Sequence, residues 1–293
     1  MELKRSIDED TITQAVIASH AQARDARLRE AMTCLVQHLH AFAREVKLTE
    51  AEWAAGLDYL AEVVRTDDAE VAERGELALL SDTLGLSMLV TVLNDRKPRG
   101  CTESTLPEGW SPHSSEVNES QAIAGTTTTG PACWLVATVR SADGIAIEGA
   151  SVRAWASQDP RSAQRAVTDS YGRAVLRTPA PEPYPVPHDG PVGRLLEQLG
   201  RHPWRPAHLH VHIEAAGHES LGTHLFREGS RYLDGDAVFG VRRSLVVPWS
   251  RHPGGPTPDG GIADRPYERV EFDFVLAPAT RRTARPKARA ARA

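Results

Sequence analysis

Cysteine is scarce in this 293-residue sequence, and long apolar runs are missing from it. Cys34, Cys101 and Cys133 are odd in number and far apart, which excludes a disulfide framework and any CxxC zinc or redox motif. A metal bound by this chain therefore rests on His, Tyr or carboxylates. No window supplies the roughly eighteen apolar residues of a membrane span. The first residues are charged rather than arranged as a signal peptide. A cytoplasmic protein is expected, with no membrane partner.

The formal net charge is −5, and six Arg or Lys with no acid among them fall in the last fifteen residues. Setting those six aside leaves the remainder at about −11, the wrong sign for a nucleic-acid surface. Residues 279–293, rich in Ala and Arg, have no apolar periodicity and read as a disordered basic tail.

Two grammars divide the rest. In 1–95, apolar residues return at three- and four-residue spacing, as in Leu28, Met32, Leu35, Leu39 and Phe42, which predicts helices. Thr49 and Glu52 form a capping box ahead of a second stripe, Trp53, Leu57, Leu60 and Val64. One further helix is expected over 75–94, running through Gly85. Residues 96–131 read as a linker that wraps the next domain. Strands are then expected at 134–140, 150–155, 173–177, 208–213, 243–247 and 270–276, with a short helix over 191–199. The fold class is α+β: a helical region, 1–95, followed by an antiparallel β-sandwich domain, 132–278.

The most informative stretch is His208-Leu209-His210-Val211-His212-Ile213. Strict alternation makes it a half-buried strand, with three imidazoles on one face and three aliphatic side chains on the other. Such a row is either a set of nitrogen donors for a metal held on a rigid element or a group of hydrogen-bonded structural histidines.

Further blocks accompany this strand. They are Pro183-Tyr184-Pro185-Val186-Pro187 with Asp189-Gly190-Pro191-Val192-Gly193, then Gly200-Arg201-His202-Pro203-Trp204-Arg205-Pro206-Ala207, and Tyr232-Leu233-Asp234-Gly235-Asp236-Ala237-Val238-Phe239-Gly240. With Leu80-Ser81-Asp82-Thr83-Leu84-Gly85 and Glu103-Ser104-Thr105, they occur in the order in which they resemble the intradiol ring-cleavage dioxygenases, in particular the catechol and hydroxyquinol 1,2-dioxygenases.

That resemblance implies a ferric, Fe(III), non-haem iron site, an aromatic diol or triol and O2 as substrates, and a muconate-type product. It also implies a homodimer formed through the N-terminal helices. Residue by residue, it makes Tyr184, His208 and His210 metal ligands. It makes Arg205 the catalytic residue that steadies charge on the ring, and places Leu79, Asp82, Phe239 and Gly240 in the substrate pocket. His212 has no counterpart among the ligands and is expected to be structural.

Three departures accompany the match. The family's second tyrosine ligand follows the strand ending in Trp155, but residues 156–164 hold no tyrosine, and Tyr171 is the nearest one. A pocket segment is replaced by Leu106-Pro107-Glu108-Gly109-Trp110. A glutamine near the iron is replaced by His224, a further candidate ligand. With one anionic donor fewer, Fe(II), zinc or copper become alternative occupants. A metalloenzyme doing another oxidative or hydrolytic step on an aromatic metabolite, and a catalytically silent phenol-binding homologue, stand as alternative readings.

Overall fold

The computed structural model describes residues 9–64, 75–106, 131–156 and 163–279. Most of the expected linker and tail, 107–130 and 280–293, and most of the tyrosine-free segment, 157–162, lie outside the described residues. The chain divides into two compact units, Met1–Glu62 and Val63–Ala293.

The first unit is built from α1 (Ile12–Ser19), α2 (Ala26–Glu45) and most of α3 (Glu50–Val64). The Asp25 carboxylate caps α2 by accepting from the backbone N–H groups of Arg27 and Leu28. The capping box starts α3: the Thr49 N–H donates to Glu52 at 2.9 Å and the Glu52 N–H donates back to Thr49 Oγ1 at 3.3 Å. Caps of this kind are worth about 1 kcal/mol each. Arg44 of α2 donates to the Glu9 carbonyl and to Thr13, tying α1 to α2. The apolar stripe of α2 stays largely exposed, Leu28 at 56% and Phe42 at 54%.

The second unit opens with α4 (Glu76–Thr83) and α5 (Leu86–Asn94), which replace the single helix expected over 75–94. Gly85 sits between them at φ 74°, the left-handed region that glycine enters without a Cβ clash, and the axes bend by 74°. Among the described residues, no single helix is long and apolar enough to cross a membrane.

Two sheets follow. The four-stranded sheet has the order β10 (Ser250–His252), β13 (Tyr267–Leu276), β1 (Ala132–Ser141), β4 (Arg173–Pro179). The five-stranded sheet runs β3 (Gln164–Val167), β2 (Ser151–Trp155), β7 (His208–Glu214), β8 (Leu221–Arg227), β9 (Val246–Val247). The expected antiparallel sandwich is in fact mixed, because β1 runs parallel to β13 and β8 parallel to β9. Neither pair is joined by a tight turn, and only a tight hairpin forces neighbours to be antiparallel.

The strand expected over 243–247 shrinks to β9, preceded by a 3₁₀ turn at Arg243–Leu245. Arg242 and Ser244 both bond to the Glu103 carboxylate there, which draws the backbone out of extension.

The core lies between the two sheets. Leu135, Ala137 and Val139 of β1 and Phe274 of β13 meet Val152 of β2 and Leu209, Val211 and Ile213 of β7. Each large aliphatic side chain buried there contributes about 1.5–3 kcal/mol. This burial fixes the register of β7 and leaves its histidines on the opposite face.

Candidate metal centre

His208 and His210 project from the non-core face of β7, and β8 brings His224 directly opposite His210. The ring centroids of the three imidazoles lie 4.5–4.8 Å apart. One donor atom from each lies within 4.8 Å of the others, and all three residues are buried. Trp155, at the end of β2 and opposite His210 on its other side, stacks on the His210 ring.

His212 points the same way but is flanked by Arg153 and Gly222, half-buried and outside the group. Tyr171 is 77% exposed in the turn after β3, away from any ligand role.

Tyr184 and Arg205 face each other across the short hairpin of β5 (Tyr184–Pro185) and β6 (Trp204–Arg205). The Tyr184 hydroxyl lies 3.2 Å from His208 Nε2. His208 Nδ1 is 2.7 Å from the Pro206 carbonyl. A carbonyl only accepts, so Nδ1 carries the proton and the Nε2 lone pair faces Tyr184 and the other histidines.

Arg205 donates from Nη1 to Tyr184 at 3.4 Å, and from Nε and Nη2 to the Asp236 carboxylate at 3.0 and 3.3 Å. The pair is almost fully buried. Asp236 also accepts the backbone N–H of Gly240 at 3.0 Å. A Cβ on Gly240 would lie 3.0 Å from Arg205 Nη2, so glycine at 240 lets the guanidinium sit where it does.

Electrostatics prepare the imidazoles as neutral donors. Burial, reinforced by the Arg205 cation, pushes His210 down to about 3. Burial also holds His208 and His224 well below the ordinary histidine value, with neighbouring imidazoles and Arg205 adding to the effect. Burial pushes the Tyr184 hydroxyl up while the Arg205 charge opposes it. Arg205 stays charged: burial opposes the charge, but Tyr184 and Asp236 outweigh it.

Of the pocket residues named by the resemblance, Asp82 and Gly240 lie beside Arg205. Leu79 is buried on α4, and Asp82 follows one turn later, near enough to Arg205 to feel its charge. Burial raises the Asp82 carboxyl, with Ser87 and Arg205 pulling the other way. Arg201 donates to the carbonyls of Thr83 at 2.6 Å and Ala237 at 2.9 Å, joining the end of α4 to the loop that carries Phe239. Its guanidinium lies 4.7 Å over the half-exposed Phe239 ring. The Glu76 carboxylate accepts the Val192 N–H at the start of α6 (Pro191–Gln198), which fixes α4 against that helix.

The donor set fits a metal ion. His210 has both ring nitrogens buried with no hydrogen-bond partner, and His224 Nδ1 is in the same state. Unpaired buried nitrogens are costly, and a cation removes that penalty.

Sequence reasoning missed Asp236 as the partner of Arg205, because the two lie 31 residues apart with no local pattern. It also missed Trp155 as a support for His210. β8 carried a usable signal, the alternation of Leu221, Thr223 and Leu225 on one face.

A sandwich with a buried cluster of imidazoles, one phenol and a fixed guanidinium presents a donor set of the kind that can hold a non-haem metal ion. The chain matches the catechol dioxygenase N terminus over residues 25–102 and the dioxygenase family over 123–278. It is 43% identical to the 6-chlorohydroxyquinol 1,2-dioxygenase of Cupriavidus pinatubonensis, over 92% of this chain and 98% of that protein. Identity to the hydroxyquinol 1,2-dioxygenase of Nocardioides simplex is 40%, over 92% and 96% of the two chains. The crystal structure of hydroxyquinol 1,2-dioxygenase from Pseudomonas putida DLL-E4 superposes with a TM-score of 0.79 at 34% identity, covering 92% of this chain and 99% of that one. The chain belongs to the intradiol ring-cleavage dioxygenases, a family of oxidoreductases that uses non-haem iron.

Proposed function

We propose that this chain cleaves a hydroxyquinol-like ring with O2, breaking the bond between two hydroxyl-bearing carbons to give a muconate-type diacid. Both oxygen atoms enter the product, so no further reductant is required. The observation that carries this reading is the buried Asp236–Arg205–Tyr184–His208 chain, with Arg205 Nη1 3.4 Å from the Tyr184 oxygen.

Tyr184, His208 and His210 would hold a non-haem iron ion, whose chemistry when bound is to draw electron density from a coordinated diol and activate the ring toward O2. Arg205 supplies a permanent positive charge in a dry site, where it stabilises negative charge on the ring without reorganising. Asp236 holds that guanidinium in place and keeps it from swinging toward solvent. Asp82 supplies an acceptor for a third hydroxyl, which favours a triol over catechol.

The exposed stripe of α2 supports a homodimer through the N-terminal helices, and the charge and composition support a cytoplasmic location. Oxygen uptake by iron-loaded protein, with muconate-type absorbance appearing on addition of hydroxyquinol and less with catechol, is the expected result. Iron-loaded protein that consumes no oxygen with either compound would overturn the proposal.

A further inference from the structure

We infer that His224 is a third imidazole ligand, so that Tyr184, His208, His210 and His224 form a four-donor site with a single anionic donor, suited to a divalent first-row metal ion. The inference rests on the proposed metal site at Tyr184, His208 and His210, and deepens it.

The geometry carries it. His224 is placed by the β7–β8 ladder directly across from His210, on the same face of the sheet. Its ring centroid is 4.5 Å from that of His210 and 4.8 Å from that of His208. Four donors about 2.0–2.1 Å from one ion in a tetrahedron stand roughly 3.3 Å from each other. The 3.2 Å between the Tyr184 oxygen and His208 Nε2 already matches such an edge. His224 is 2% exposed, with Nδ1 buried and no hydrogen-bond partner. A histidine kept there only for packing would forgo a buried hydrogen bond that a smaller apolar residue would not need.

No other tyrosine of the second unit replaces it as a donor. Tyr171 is exposed, Tyr232 stacks on Trp204, and the Tyr267 hydroxyl donates to the Pro256 carbonyl at 2.6 Å. Segment 156–164 contains no tyrosine. The donor set therefore carries three neutral nitrogens and one phenol oxygen. Fewer anionic donors favour the divalent over the trivalent state of a given metal, and three imidazoles suit cobalt, zinc, copper and ferrous ions.

Co(II) added to metal-free protein is the probe, read by chelator competition and visible spectrum, alongside His224→Gln, His224→Cys and His212→Gln. Wild-type protein is expected to bind one Co(II) with intense four-coordinate bands. His224→Gln, which restores the family's glutamine, is expected to weaken binding by more than about 100-fold, beyond the 10–100-fold typical of outer supports. His212→Gln is expected to leave affinity unchanged. His224→Cys is expected to show a new thiolate-to-Co(II) charge-transfer band, a sign of direct bonding that a packing role cannot produce.

Equal affinity in wild type and His224→Gln, or bound Co(II) without the thiolate band in His224→Cys, would overturn the role of His224 alone. Wild-type protein that binds no divalent ion would overturn the metal site itself, and this inference with it.

Discussion

Trp155 lies flat against His210, with ring centroids 5.1 Å apart and planes 2° from parallel. The two residues are direct neighbours on β2 and β7, so the stack is set by strand register. Trp155 is 1% exposed, and no hydrogen bond orients the His210 ring. The indole face, with the neighbouring His208 and His224 rings, is therefore what sets the angle of that imidazole.

Replacing Trp155 with Leu is expected to free the His210 ring and weaken metal affinity by about 10–100-fold, the range seen when the support of a ligand is lost. Chelator competition on the variant checks this. An affinity equal to wild type would show that the sheet alone orients His210.

Asp236→Asn removes the charge that Arg205 is paired with while keeping the shape. Breaking a buried pair costs about 3–5 kcal/mol of stability. The expected result is a lower Tm together with a fall in kcat of about 10²–10³, the loss typical of one misplaced electrostatic group. Melting curves and oxygen uptake on the same preparation separate the two effects.

Asp82→Asn is expected to narrow the preference for hydroxyquinol over catechol while leaving catechol turnover nearly unchanged. The ratio of kcat/KM for the two rings is the measurement. An unaltered ratio would remove Asp82 from substrate recognition.

Gly193→Ala tests how closely the start of α6 approaches the preceding loop. A Cβ there would lie 1.9 Å from the His188 carbonyl oxygen, a backbone atom with little room to move. Overpacking of this kind costs about 1–3 kcal/mol. Denaturant titration should show that loss, whereas Gly56→Ala, where nothing lies within 4 Å of the new carbon, should not.

Burial, with Glu268 nearby, pushes the Cys133 thiol up to about 12 from an ordinary value of 9.0. Between those values the folded protein holds a proton that the unfolded chain releases, so stability falls as pH rises through that window. At pH 8, a thiol reagent is expected to modify the exposed Cys34 and to reach Cys133 only after unfolding.

What could be read from the sequence follows how local each signal is. The face shared by His208 and His210 is legible because the alternation lies within six residues, and the box at Thr49 and Glu52 within four. The break at Gly85 was missed because apolar spacing continues across it, and only the positive φ reveals the bend. Arg205 could be marked as important, but its tie to Asp236 could not, since Arg205 sits on β6 and Asp236 just after a 3₁₀ turn at Leu233–Gly235, with no local pattern linking them. The stripe on α2 reads the same whether it faces a core or solvent, and only exposure separates the cases.

The parallel pairing of β1 with β13 has a consequence for synthesis. β13 is an interior strand of its sheet, yet it is the last strand of the described chain to leave the ribosome. Until residue 276 emerges, β1 has one empty side and Val270 and Phe274 are missing from the core that backs β7. The histidine-bearing hairpin is translated well before that, so its final rigidity waits on a strand made after it. Nascent chains halted ahead of β13 should therefore carry Tyr184, His208, His210 and His224 without the packing that holds them in place.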